Sequence, residues 1–186
     1  NFIINAALDC LCQSMESIWS KKCNNMSLKI ATKSLNYSLI FLTKKTKRPN
    51  KKNFVLLAKA SYFIGKAMNI TRTTAPHALS YPLTAYLGIP HGLAVSLIMK
   101  KCIKKNLISI KDIKKINIFK KLFKVSNIIE IPKKYNSILN SINVDKKLKL
   151  DNKIINKLAT QVDIDRLNNN PVFLNKKDIV EIYKKL

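Results

Sequence analysis

Apolar residues recur three and four positions apart along nearly all of this 186-residue chain, and nowhere alternate with polar ones for more than a few residues. That spacing paints an apolar stripe on an α-helix and none on a strand. The glycines tighten the constraint. There are only three, too few for the glycine-rich turn with which a parallel-sheet dinucleotide fold grips a pyrophosphate. The expected fold is therefore all-α, a single helical domain over residues 1–186. With 47% apolar residues it can bury a core of its own.

Ile4, Leu8, Leu11, Met15, Ile18 and Trp19 mark a first helix over residues 4–20, with Asp9 and Gln13 four apart on one face. A second runs from 26 to 42 and ends in the basic, proline-containing turn 44–49; a third follows over 53–68. Short polar connections make these three antiparallel neighbours. An apolar helix over 93–103, amphipathic stretches at 111–124, 132–142 and 150–160, and a last helix capped by Asn175 with Asp178 three residues on complete the pattern. Between them, residues 71–92 read TRTTAPHALSYPLTAYLGIPHG and hold three of the six prolines, two of the three glycines and both histidines. Pro76 suits a helical first turn, whereas Pro82 and Pro90 are expected to break or kink the stretch into short helical pieces. So many breakers gathered around polar groups mark a site segment.

The net charge of +25 raises nucleic acid or an anionic membrane as partner. Only Arg48, Arg72 and Arg166 are arginines, however, although base reading and phosphate forks favour arginine, and the lysines are spread in pairs along the whole chain. The excess of Lys, Asn and Ile reads as compositional drift. A basic nucleic-acid-binding module remains an alternative, separable by salt-dependent retention on nucleic acid. Cys10, Cys12, Cys23 and Cys102 lack the paired spacing of a structural zinc site and read as free thiols. With no long apolar span and no basic-then-apolar leader, the expected location is cytoplasmic, away from membranes. Asn1 already lies inside an amphipathic pattern, which reads as a fragment.

His77 and His91 stand fourteen residues apart in the site segment. Imidazole is the commonest neutral metal ligand, and Asp9 and Gln13 offer two oxygens to complete a set of four. Glu16, one turn beyond Gln13, is either a carboxylate orienting that site or an exposed helix residue. Arg72, beside Thr73 and Thr74, either meets an anionic substrate group or is solvated.

Three strings, ALDCLCQSMESIWS (7–20), GKAMNITRTTAPHALSYPLTAYLGIPHGLAV (65–95) and RLNNNPVFLNKKDIVEIYKKL (166–186), resemble successive landmarks of the iron-containing alcohol dehydrogenase superfamily, in the family's order. The resemblance implies the helical metal-binding domain of the dehydroquinate synthase-like, iron-containing alcohol dehydrogenase fold. In that family an Asp and a His four residues apart on the first helix bind the metal together with two later histidines. These positions fall on Asp9, Gln13, His77 and His91. Glutamine at the second position departs from the commonest pattern and is similar to a branch of phosphonoacetaldehyde reductases and sugar-acid oxidases; exchanging imidazole nitrogen for amide oxygen hardens the site. Tyr81 falls where many members carry a further histidine near the nicotinamide, which makes it either a catalytic phenol that donates a hydrogen bond in the substrate pocket or an aromatic core residue with its hydroxyl at the rim.

The resemblance further implies Fe²⁺ or Zn²⁺ polarising the oxygen of a small alcohol or aldehyde, anionic in the branch concerned, for hydride exchange with NAD(P)H. It also implies an N-terminal dinucleotide-binding half, supplied by a longer chain or a partner, without which this chain is inactive. A second copy of the chain is another candidate partner, as a homodimer. Two other readings stand beside the dehydrogenase: a metal-dependent lyase of the dehydroquinate synthase kind, which expects a glutamate and more basic site residues, and a degenerate helical remnant without metal or activity.

Overall fold

A computed structural model describes residues 2–44, 50–144 and 147–186, and every regular element among them is helical. The order is α1 (Phe2–Trp19), α2 (Asn25–Thr43), α3 (Lys51–Thr71), α4 (Ala75–Leu87), α5 (His91–Ile108), α6 (Ile113–Phe123), a 3-10 turn (Ile128–Glu130), α7 (Ile131–Ser141), α8 (Asn152–Thr160), α9 (Ile164–Asn168) and α10 (Lys176–Lys184). Capping boxes at Asn24 with Ser27 and at Asn175 with Asp178 start α2 and α10; the second is the pair expected from the sequence. Among the described residues no helix is long and apolar enough to cross a membrane.

The all-α expectation holds, with three differences in detail. Pro82 does not break the site segment: α4 runs unbroken through it, with Pro76 in the first turn. One proline removes a single bond to the carbonyl four residues back, and buried Leu79 and Leu83 fix both sides of that turn on the core. The break falls instead at Gly88, whose left-handed φ of 63° closes α4 and needs no Cβ, and Pro90 then leads into α5 at His91. The five-residue α9 was not expected, because only Leu167 of it is buried and so short a segment shows no period. The predicted turn 44–49 lies outside the described residues except for Lys44.

Two cores share α5. Its Val95, Met99, Ile103 and Leu107 face a core built from α1, α2, α3, α6 and α7, while Ala94, Leu97, Ile98 and Cys102 face a second built from α4, α8, α9 and α10. α1 is enclosed on nearly every side from Ala7 onward. Gly92 brings α5 against it: a Cβ at that position would overlap the carbonyl of Asn5. His91 is thereby set beside Asp9, its Nε2 3.7 Å from Asp9 Oδ1, at the edge where the two cores meet.

Candidate metal centre

The expected ligands reach the seam between the cores from three helices. Asp9 projects from α1, His77 from the first turn of α4, and His91 is the first residue of α5. Their ligand atoms all lie within 4.8 Å of one another. Asp9 Oδ1 is 3.0 Å from His77 Nε2 and 3.7 Å from His91 Nε2. Gln13 joins the group through its amide, whose nitrogen donates to Asp9 Oδ2 at 3.0 Å. His77 is buried, while the side chains of Asp9 and His91 keep 28% and 32% of their surface, so the cluster opens to solvent on their side.

Glu16 is fully buried behind His77, which settles its two readings. One carboxylate oxygen hydrogen-bonds His77 Nδ1; the other accepts from the Thr74 amide at 2.9 Å, the Thr74 hydroxyl at 2.8 Å and the His77 amide at 3.3 Å. It thus caps the N-terminus of α4 from another helix, where the helix dipole favours negative charge. Trp19 Nε1 donates to the same Thr74 hydroxyl at 3.1 Å. Holding Nδ1 aims Nε2 at Asp9, the arrangement by which a carboxylate orients a metal-binding imidazole. Burial alone would lower the pKa of His77, but the Glu16 and Asp9 carboxylates outweigh it and hold it at about 9. His91 moves the other way, lowered by burial and then by the charge on His77.

Tyr81 stacks on His91, ring centroids 5.2 Å apart and planes 12° from parallel. Burial raises its pKa against the opposing effect of Arg166, so the phenol keeps its proton at neutral pH. Arg166 is the site residue that sequence reasoning missed. It reaches in from α9 and donates from Nη1 to the Tyr81 hydroxyl at 2.7 Å and to Thr73 Oγ1 at 2.9 Å. Arg72, the arginine considered for that region, is not brought there. It is exposed, has φ 55°, and closes α3 through its backbone N–H to Met68. The four cysteines are unpaired; burial pushes the Cys10 and Cys102 thiols up to about 12, so neither is a nucleophile at neutral pH.

Asp9 and Glu16 are the only charged residues in α1, which contains no lysine in a chain of 35 Lys and Arg. Residues 73–99 are also free of lysine and arginine. These two windows face each other across the seam, and their shared lack of lysine is the sequence signal that Glu16 belongs inside.

The family profile described as Fe-containing alcohol dehydrogenase family, C-terminal, matches residues 3–186. A phosphonoacetaldehyde reductase of Streptomyces viridochromogenes is 30% identical over 100 residues, covering 53% of this chain and 25% of that protein. Among solved structures, sulfoacetaldehyde reductase from Bifidobacterium kashiwanohense in complex with NAD⁺ aligns with a TM-score of 0.89 at 23% identity, over 98% of this chain and 49% of that one. An alcohol dehydrogenase from Oenococcus oeni aligns with a TM-score of 0.87 at 16% identity, over 98% of this chain and 50% of that one. At such identities the solved structures establish a shared fold. The chain spans about half the length of each.

Proposed function

The chain belongs to the Fe-containing alcohol dehydrogenase family, of which it is the C-terminal helical domain, and from that premise we propose that Asp9, His77 and His91, with Gln13 beside them, hold a divalent metal ion for alcohol–aldehyde oxidoreduction. The observation that carries this reading is the convergence of three ligand atoms from three helices on one half-open point. A carboxylate oxygen and two imidazole nitrogens suit Fe²⁺ or Zn²⁺, and the amide oxygen of Gln13 is left as a fourth donor. Bound there, the ion supplies Lewis-acid polarisation of an alcohol or carbonyl oxygen.

The chain's own groups do the rest. Glu16 keeps His77 turned toward the cluster, and Gln13 restrains the second oxygen of Asp9. Apolar packing of α4 and α5 closes the back of the site to water, and the open side next to Asp9 and His91 admits the substrate. Tyr81, protonated at neutral pH, offers a hydrogen bond beside His91 and so stabilises negative charge that builds up on a substrate atom.

The nicotinamide belongs to a dinucleotide-binding unit that these 186 residues do not contain, since they lack a glycine-rich phosphate loop. The solved sulfoacetaldehyde reductase in complex with NAD⁺, of which this chain matches about half, supports that division. The names of two relatives denote short aldehydes with an anionic end, which supports an anionic substrate here too. Metal analysis of the purified chain, with an NAD(P)H oxidation assay with and without a dinucleotide-binding half, tests the proposal. Bound Fe²⁺ or Zn²⁺ with turnover only in the presence of both halves is expected; turnover by the 186 residues alone contradicts it.

A further inference from the structure

Beside the cluster of Asp9, His77 and His91 lies a group of side chains with some donors that meet no acceptor among the described residues. Arg166 gives Nε to Asp163 Oδ2 at 2.8 Å and Nη1 to the hydroxyls of Thr73 and Tyr81. Its guanidinium carbon sits 4.7 Å from the centroid of the Tyr81 ring, and that ring stacks on His91. A hydroxyl that accepts a bond from a guanidinium has its own proton free to point elsewhere. Neither the Thr73 nor the Tyr81 hydroxyl proton meets an acceptor among the described residues, and neither does Nη2 of Arg166. Asp163, the nearby carboxylate, is already engaged by the backbone N–H and Nε of Arg166.

The group is held in place. Thr73 is 2% exposed, and the Asn169 amide at the end of α9 donates to the carbonyls of Thr71 and Thr73, both at 2.8 Å. Ser20, just past α1, donates to Asn169 Oδ1 at 3.0 Å. α9 is therefore fastened to both sides of the seam, and Arg166 is presented one aromatic ring away from His91.

We propose that Arg166, Thr73 and Tyr81 form an anion-anchoring subsite that selects substrates bearing a tetrahedral oxyanion, a phosphonate or a sulfonate, a short carbon chain away from the reacting oxygen. This rests on the reading of Asp9, His77 and His91 as the place where that oxygen docks. Arg166 is the specificity-determining member, because a guanidinium already bonded through two of its nitrogens keeps the third aligned for an oxyanion.

The test is calorimetric titration of the Zn²⁺-loaded chain with 2-hydroxyethylphosphonate, isethionate and the neutral control 1-propanol. Both anions should bind at least about tenfold more tightly than 1-propanol, and Arg166→Gln should remove about tenfold of that affinity while leaving Zn²⁺ binding within about twofold. Arg166→Lys should recover only part of the loss. Retained helicity and Tm confirm that the variants fold. Repeating the series at higher salt suppresses retention by surface lysines, and the gap between wild type and Arg166→Gln should persist. Equal binding by wild type and Arg166→Gln overturns the anchor even if Zn²⁺ binds. If the wild-type chain takes up no Zn²⁺, the docking reading fails separately. Methylphosphonate titrated into the Zn²⁺-free proteins then decides the anchor: weaker binding by Arg166→Gln supports it, equal binding overturns it.

Discussion

The two hydrophobic cores and the seam between them are held together by different physics. In the cores, Leu, Ile and Met mostly fill space, and residues of similar volume would serve nearly as well at those positions. Buried polar contacts among them are few, such as Ser14 with Ser34 at 2.8 Å and the Tyr183 hydroxyl donating to the Leu79 carbonyl at 2.7 Å. In the seam, buried polar groups meet named partners: Ser17 with Thr71 at 2.8 Å, Trp19 with Thr74, Ser20 with Thr71 and Asn169, and Glu16 with four donors. A buried polar group deprived of its partner costs its full desolvation, so the seam tolerates little exchange. The difference teaches that this fold rests on its cores, while the candidate site depends on one line of directional contacts.

The comparison breaks most sharply at Glu16. Glu16→Ala strips His77, Thr74 and the α4 N-terminus of their shared acceptor inside a buried site, and is expected to cost about 3–5 kcal/mol and to weaken Zn²⁺ binding about 10- to 100-fold. Leu79→Ala, a purely apolar loss in the second core, should cost about 2–5 kcal/mol yet leave the Zn²⁺ Kd of the folded protein unchanged. Urea unfolding paired with Zn²⁺ titration separates the two. Zn²⁺ binding that falls equally in both variants would erase the distinction between core and seam.

A second effect comes from protonation. His77 has its folded pKa raised from 6.5 to about 9, so in the metal-free chain the imidazolium between Glu16 and Asp9 stabilises the fold fully below about pH 6.5, and that stability is lost as pH rises through about 9. The Tm of the metal-free chain should therefore fall across that window. Zn²⁺ must displace the proton on Nε2, so its affinity should rise over the same window. A Tm that is flat or rises between these limits contradicts the carboxylate–imidazolium pairing. The smallest change expected is at Gln13: Gln13→His restores imidazole at that position and should tighten Zn²⁺ binding about tenfold.

The cores were legible in the sequence and the seam only partly so, for the same physical reason. Periodicity reports burial along one helix, and it located α1, α2, α3 and the later amphipathic helices to within a turn, while ending α5 five residues short of Ile108. It reported nothing of Pro82, which tertiary packing of Leu79 and Leu83 carries through α4. The two histidines stand out among breakers, and Asp9 and Gln13 share a helix face, but it was the family resemblance that singled out the four as a ligand set. Glu16 was ambiguous from spacing alone, although the lysine-free windows around it and over residues 73–99 mark where a strongly basic chain stops placing positive charge. Arg166 could not be found this way. Its partners Thr73 and Tyr81 are far away in sequence, and the fastening of α9 by Asn169, with Leu167 packed in the second core, brings them together.

The central claim is that three side chains from the seam hold one divalent ion. Competition titration of Zn²⁺ into the metal-free chain, alongside Asp9→Ala, His77→Ala and His91→Ala, tests it most directly. One equivalent bound by the wild type, with affinity reduced at least about a hundredfold by each substitution while helicity is retained, is the predicted result. Absence of stoichiometric binding by the folded wild type, or binding that survives all three substitutions, would contradict it.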